Sequence, residues 1–202
     1  MSRRQIKILF LAANPSNETR LGLGAESTKI KEALEAATSR NHFTFSEDHA
    51  VRLDSLQRLV LKQNPSIVHF SGHGATAGKL VFEDSEGKSV VADSNAIAEL
   101  FRLAGESTRL IVLNACYSEL QAKALAEHVD AVIGMATAIP DQSAIAFAKA
   151  LYEALGEGCN VKRAFDLARN YVALQGLPGA ELPVLLEHVG VPAASVLLLP
   201  PD

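Results

Sequence analysis

Tryptophan is missing from this 202-residue chain, and cysteine and methionine occur twice each. Two cysteines, Cys116 and Cys159, are too few for a disulfide framework and fit a reducing compartment. Long apolar runs are also lacking. The first, residues 6–13, is broken by Lys7 and stopped by Asn14-Pro15, and it has neither the length of a membrane-spanning helix nor a signal-peptide cleavage pattern. A soluble, cytoplasmic protein with no membrane partner is expected. Strong charge of either sign is absent as well. A net charge of -4, from 19 basic and 23 acidic residues scattered along the chain, excludes a basic surface for nucleic acid. Gly22-x-Gly24 lacks the lysine and the spacing of a phosphate loop.

Apolar residues are plentiful, at 48%, enough for the core of one domain spanning residues 1–202. Nearly continuous apolar runs at 6–13, 66–71, 110–113 and 131–135 read as strands buried on both faces. Residues 43–51 form a further extended stretch. Segments 79–82 and 88–91 read as a hairpin around Ser85-Glu86-Gly87, and 184–189 as a last strand before a proline-rich tail. Helical spacing recurs at 26–39, at Leu53, Leu56, Leu59 and Val60, and from Ser94 through Ala104. It recurs again at 118–128, opened by a Ser118/Gln121 capping box, from Asp141 or Ser143 to Gly156, and at 161–174. Strands alternating with helices predict an α/β fold with a mostly parallel central sheet and helices on both faces. Active sites of such sheets lie beyond the carboxyl ends of the strands, and the polar, glycine-rich clusters of this chain fall there.

Two strand ends carry the chemistry. One reads Val68-His69-Phe70-Ser71-Gly72-His73-Gly74 and the other Val112-Leu113-Asn114-Ala115-Cys116-Tyr117-Ser118. If the strands are parallel neighbours, His73 stands beside Cys116. A thiol needs a base or a positive environment to act as thiolate near neutral pH, and His73 is the candidate base. The following helix N-terminus would add partial positive charge. The N–H groups of Gly74 and Cys116 are candidate donors for an oxyanion hole.

Ser-Gly-His-Gly and Asn-Ala-Cys-Tyr-Ser, each closing an apolar strand, resemble the caspase-like clan (clan CD) of cysteine peptidases. Within it they most resemble the bacterial CHAT domains, relatives of separase and metacaspases. Residues 8–15, 147–152 and 164–169 share the resemblance, which runs from about residue 5 to 190. It implies a three-layer caspase-like sandwich and a His/Cys dyad of His73 and Cys116 that cleaves peptide bonds through an acyl-enzyme. It further implies a protein substrate cut after a basic residue held by an acidic pocket. Metacaspases often carry Asp two positions before the nucleophile, where this chain has Asn114. Asp141 is then the remaining acid of the pocket, with Asn114 and Ser71 as further substrate contacts. The family's ties imply an effector in antiviral or other bacterial defence. It would be a zymogen switched on by a sensor partner or by an upstream protease, with the loops 83–88 and 104–109 as candidate nicking sites and Arg102 and Arg109 as basic residues a trypsin-like peptidase could use. No cofactor and no metal is required.

Blander readings stand beside these. Asp141 could simply cap its helix. His69, four residues before His73, reads as a core or supporting histidine rather than a metal ligand, since no carboxylate cluster or CxxC completes a site. Cys159 reads as an incidental thiol. The whole chain could be a catalytically inactive module of the same fold used for protein contacts. A receiver-like or nucleotide-binding domain would need an acidic cluster after the first strand, where Asn14-Pro15-Ser16-Asn17 supplies none.

Overall fold

The computed structural model describes residues 5–75 and 78–199. Residues 1–4 and the end of the proline-rich tail, 200–202, lie outside them. Strand β1 (Ile6–Ala13) shows how the sheet is built. Ile6, Ile8, Phe10 and Ala12 enter one hydrophobic cluster, and Leu9, Leu11 and Ala13 enter a second on the opposite face. Alternate side chains of a strand point to opposite faces, so a continuous apolar run serves two layers at once.

The first cluster packs β1 against α1 (Leu23–Ala36), α5 (Asp141–Gly156) and α6 (Val161–Leu174). The second packs it against α2 (Leu56–Gln63), α3 (Ser94–Ala104) and α4 (Glu119–Ala126). The expected three-layer α/β sandwich is therefore present. Its six-stranded sheet has the order β2-β1-β3-β7-β8-β9. Here β2 is Phe43–His49, β3 is Ile67–Gly72, β7 is Leu110–Asn114, β8 is Ala131–Met135 and β9 is Pro183–Glu187. All neighbours are parallel except β8 and β9.

A smaller antiparallel sheet sits at the carboxyl end of β3, formed by β4 (Gly74–Ala75), β5 (Lys79–Glu83) and β6 (Ser89–Val91). The predicted hairpin is its β5–β6 pair. Gly87, at φ 74°, closes the turn together with Asp84, whose carboxylate accepts from the N–H groups of Glu86 and Lys88.

Some boundaries differ from expectation. α1 begins at Leu23, three residues early, after an N-cap Gly22 that offers no capping side chain. Residues 53–55 form a 3-10 turn ahead of α2. The Ser118/Gln121 capping box does not form, because both side chains are taken by tertiary partners. Ser118 Oγ donates to the Leu113 carbonyl at 3.0 Å and accepts from Met135 N–H at 3.0 Å, while Gln121 Nε2 donates to the Ser94 carbonyl at 3.1 Å. Among the described residues no helix is long and apolar enough to cross a membrane.

Candidate active site

Register brings the two motifs together. β3 and β7 are parallel neighbours at the centre of the sheet, and their last paired residues are Ser71 and Asn114. His73 and Cys116 each follow two residues later, so they leave the sheet at the same level on adjacent strands. Both are partly exposed.

Each loop is anchored on its outer side. Gly72 lies against β1, where a Cβ would meet the Ala13 carbonyl at 2.8 Å and the Phe70 ring at 3.1 Å. The His73 carbonyl accepts from Val81 N–H on β5 at 3.1 Å. The Cys116 turn is tied to β8 and its exit. Ser118 bonds Met135, and Tyr117 N–H donates to the Thr137 carbonyl at 3.3 Å. Tyr117 takes a left-handed φ of 58°, a strained conformation for a side chain of that size, and its ring is about half exposed.

The loops touch backbone to backbone. A Cβ built on Gly74 would lie 1.7 Å from the Cys116 carbonyl oxygen and 3.2 Å from the Cys116 nitrogen. Only glycine permits this approach. Gly74 and the Cys116 N–H, the expected oxyanion donors, thus belong to one small patch of main chain. His73 Nε2 is buried without a hydrogen-bond partner among the described residues.

Asp141 stands apart from Ser71 and Asn114. It opens α5 on the loop beyond β8, is exposed, and its Oδ2 accepts from Gly22 N–H at 3.2 Å. It does not cap α5: the N-cap is Pro140, with no side-chain cap bond. Ser71 and Asn114, the further substrate contacts expected, are 1% and 6% exposed and face a buried carboxylate, Glu26. Ser71 Oγ donates to Glu26 Oε2, and Asn114 Nδ2 donates to Glu26 Oε1 at 2.6 Å. His69, fully buried, places Nε2 at 2.8 Å from Glu26 Oε1 and Nδ1 at 3.1 Å from the Tyr152 hydroxyl. Burial, with the nearby Glu26 charge, pushes the Tyr152 phenol well above its ordinary value, so it stays protonated and can donate. Glu26 and Tyr152 were not anticipated from sequence. Their signal lay in helical register, because Glu26 precedes Ile30 by four positions on a buried stripe and Tyr152 follows Ala148 by four.

A cavity of about 560 Å³ lies over the ends of β1 and β2, where Asn14, Arg20, His49 and Glu83 line it and neither His73 nor Cys116 does. Of the suggested nicking residues, Arg109 is tied down. Its guanidinium donates to Asp130 at 2.8 Å and to the Leu197 carbonyl at 2.7 Å. Among the described residues no group of three or more His, Cys, Asp or Glu side chains is arranged to hold a metal ion.

A mostly parallel three-layer sandwich with His73 and Cys116 leaving adjacent central strands is the caspase-like architecture. Two solved structures share it. A secreted C11 cysteine protease from Bacteroides thetaiotaomicron, in complex with an irreversible peptide inhibitor, matches at a TM-score of 0.65 and 13% identity, over 92% of this chain and 67% of its own. Caspase-1 from Spodoptera frugiperda matches at 0.61 and 13% identity, over 92% and 87%. Within that architecture the chain belongs to the CHAT domain family, whose match runs over residues 2–176. Two curated relatives are a Roc-COR-CHAT protease from an unknown prokaryotic organism, 27% identical over 156 residues, and a probable protease of Gillisia limnaea (strain DSM 15749 / LMG 21470 / R-8282), 26% identical over 155. The matches cover 74% and 75% of this chain but only 15% and 27% of those relatives.

Proposed function

We propose that the chain is a cysteine endopeptidase with Cys116 as nucleophile and His73 as general base. The observation that carries this reading is the backbone contact of Gly74 on Cys116, which holds the two strand-end motifs side by side. Family membership and the protease names of the relatives support it.

In the first half-reaction Cys116 Sγ attacks the scissile carbonyl carbon as His73 takes the thiol proton. The carbonyl oxygen becomes an oxyanion, which accepts hydrogen bonds from the N–H groups of Gly74 and Cys116. Collapse breaks the C–N bond, and His73 gives its proton to the departing amine. Water then attacks the thioester carbonyl as His73 takes its proton; the C–S bond breaks, the new carboxyl terminus leaves, and His73 returns the proton to the Cys116 thiolate.

Cleavage after Arg or Lys belongs to this reading, with the exposed Asp141 carboxylate as the acid facing the basic side chain. A cytoplasmic role as a defence effector belongs to it too, with a protein substrate and activation by a sensor partner or by nicking. The 83–88 turn and Arg102 are the nicking candidates. Among the described residues Arg102 is exposed on α3 and paired with its helix neighbour Glu99, whereas Arg109 bonds both Asp130 and the Leu197 carbonyl. An intact chain isolated from active cells would count against nicking.

One observation favours a second reading, a non-catalytic interaction module: His73 Nε2 is buried and unpartnered, and no hydrogen bond joins it to Cys116 among the described residues. Fluorogenic peptides ending in Arg, Lys or Asp separate the two. The peptidase reading expects turnover of Arg or Lys peptides, its loss in Cys116→Ala and His73→Ala, and a raised KM in Asp141→Ala. No turnover, with or without nicking by a trypsin-like enzyme, favours the module.

A further inference from the structure

Beneath the dyad lies a buried polar cluster that the chemistry above does not use. Glu26, on α1, is 3% exposed and receives donors from two different strands. One oxygen accepts from Ser71, at the end of β3, and the other from Asn114, at the end of β7. Ser71 and Asn114 are each other's register partners, and each stands two residues before a dyad member. A single carboxylate therefore bridges the two strand ends that carry His73 and Cys116.

The cluster is directional. A carboxylate only accepts, so the Asn114 amide must turn its nitrogen toward Glu26. That orientation leaves Asn114 Oδ1 buried without a partner among the described residues. An orphaned buried acceptor is costly, and it persists here because the nitrogen is committed to Glu26. On the far side His69 links the carboxylate to Tyr152, so α5 braces the same point.

We infer that Glu26 is a positioning residue of the peptidase site: by holding Ser71 and Asn114 it sets the distance between His73 and Cys116. The inference rests on the peptidase reading. Charge and reach can be separated by substitution. Glu26→Gln keeps reach and loses charge. Its oxygen can still accept from Asn114 and His69, and its nitrogen can donate to the Ser71 hydroxyl, which turns to accept. Glu26→Asp keeps charge but is one methylene short of spanning both strands.

The test measures kcat and KM on an Arg peptide, with kcat counted per active site titrated by an irreversible peptide inhibitor so that misfolded protein does not contribute. Displacing a reacting group by an ångström costs on the order of 100-fold. Glu26→Asp is expected to lose about that factor in kcat with KM nearly unchanged, and Glu26→Gln to stay within about tenfold of wild type. Ser71→Ala, a smaller change less prone to misfolding, is expected to lower kcat in the same direction. Unchanged kcat per titrated site in Glu26→Asp and Ser71→Ala overturns the inference, as does an active Glu26→Asp beside an inactive Glu26→Gln.

If the wild type turns over no peptide, the peptidase reading fails separately, and alkylation of Cys116 by iodoacetamide at pH 7 in a Cys159→Ala background takes over. A Glu26→Asp rate that matches His73→Ala supports the inference, and one that matches wild type overturns it.

Discussion

Replacing Gly74 by alanine adds one methyl group at the closest point between the two loops. The new Cβ would stand 1.7 Å from the Cys116 carbonyl oxygen and 2.8 Å from its carbonyl carbon, where ordinary contact begins near 3.4 Å. Both neighbours are main chain, so no side chain can swing away, and the loops must part by roughly 1.7 Å to bring the oxygen from 1.7 Å out to 3.4 Å. Overpacking of this kind costs about 1–3 kcal/mol. At about 2–4 °C per kcal/mol for a chain of this size, Tm should fall by roughly 2–12 °C. The effect on catalysis should be larger in relative terms, because a shift beyond one ångström between reacting groups costs on the order of 100-fold. The assay is kcat/KM on the Arg peptide with a thermal melt alongside. Gly24→Ala, where a Cβ would meet nothing beyond its own helix within 4 Å among the described residues, is the control and should leave activity intact. Wild-type kcat/KM in Gly74→Ala would mean that activity does not depend on this contact.

Other outcomes follow from groups around the site and at the sheet edge. Ser118→Ala strips a bond from two buried main-chain groups, the Leu113 carbonyl and the Met135 N–H, and should cost about 1–3 kcal/mol in a denaturant melt. It should also loosen the Cys116 turn and lower kcat more than KM. Glu47 is held down to about 2 from an ordinary 4.5, chiefly by the Lys31 ammonium and then by the Ser27 hydroxyl. Its folded value is the depressed one, so its contribution to stability is present above about 4.5 and is lost as pH falls toward about 2. Lys31→Met should return the carboxyl toward 4.5 in an NMR titration and flatten the fall in stability across that window. An unmoved Glu47 would mean that the ion pair is not the cause.

Much of this architecture could be read from local pattern. The runs that became β1, β3, β7 and β8 are apolar on both faces because both faces are covered, and no polar alternation interrupts them. The two motifs stood out because each placed a reactive side chain and small or polar neighbours directly after such a run. What escaped was decided by long-range partners. Ser118 and Gln121 have the spacing of a capping box, yet a tertiary bond claims each side chain. Asp141 sits at a helix start, yet it bonds Gly22, 119 residues away along the chain. Glu26 lies 88 residues from Asn114, and no local window records that pairing. Ser71 and Asn114 were legible as positions near the two motif ends but not in their direction, because the sheet turns them toward Glu26 on α1.

In the proposed reaction Cys116 attacks a carbonyl with His73 as its base. Intact-mass spectrometry after exposure to an arginyl ketone carrying a leaving group reads this directly, with peptide mapping to locate the adduct. One adduct per chain is expected, on Cys116, absent in Cys116→Ala and slowed at least ~100-fold in His73→Ala, where the thiol has lost its base. An adduct on Cys159, or labelling of Cys116 that is indifferent to His73, would contradict it.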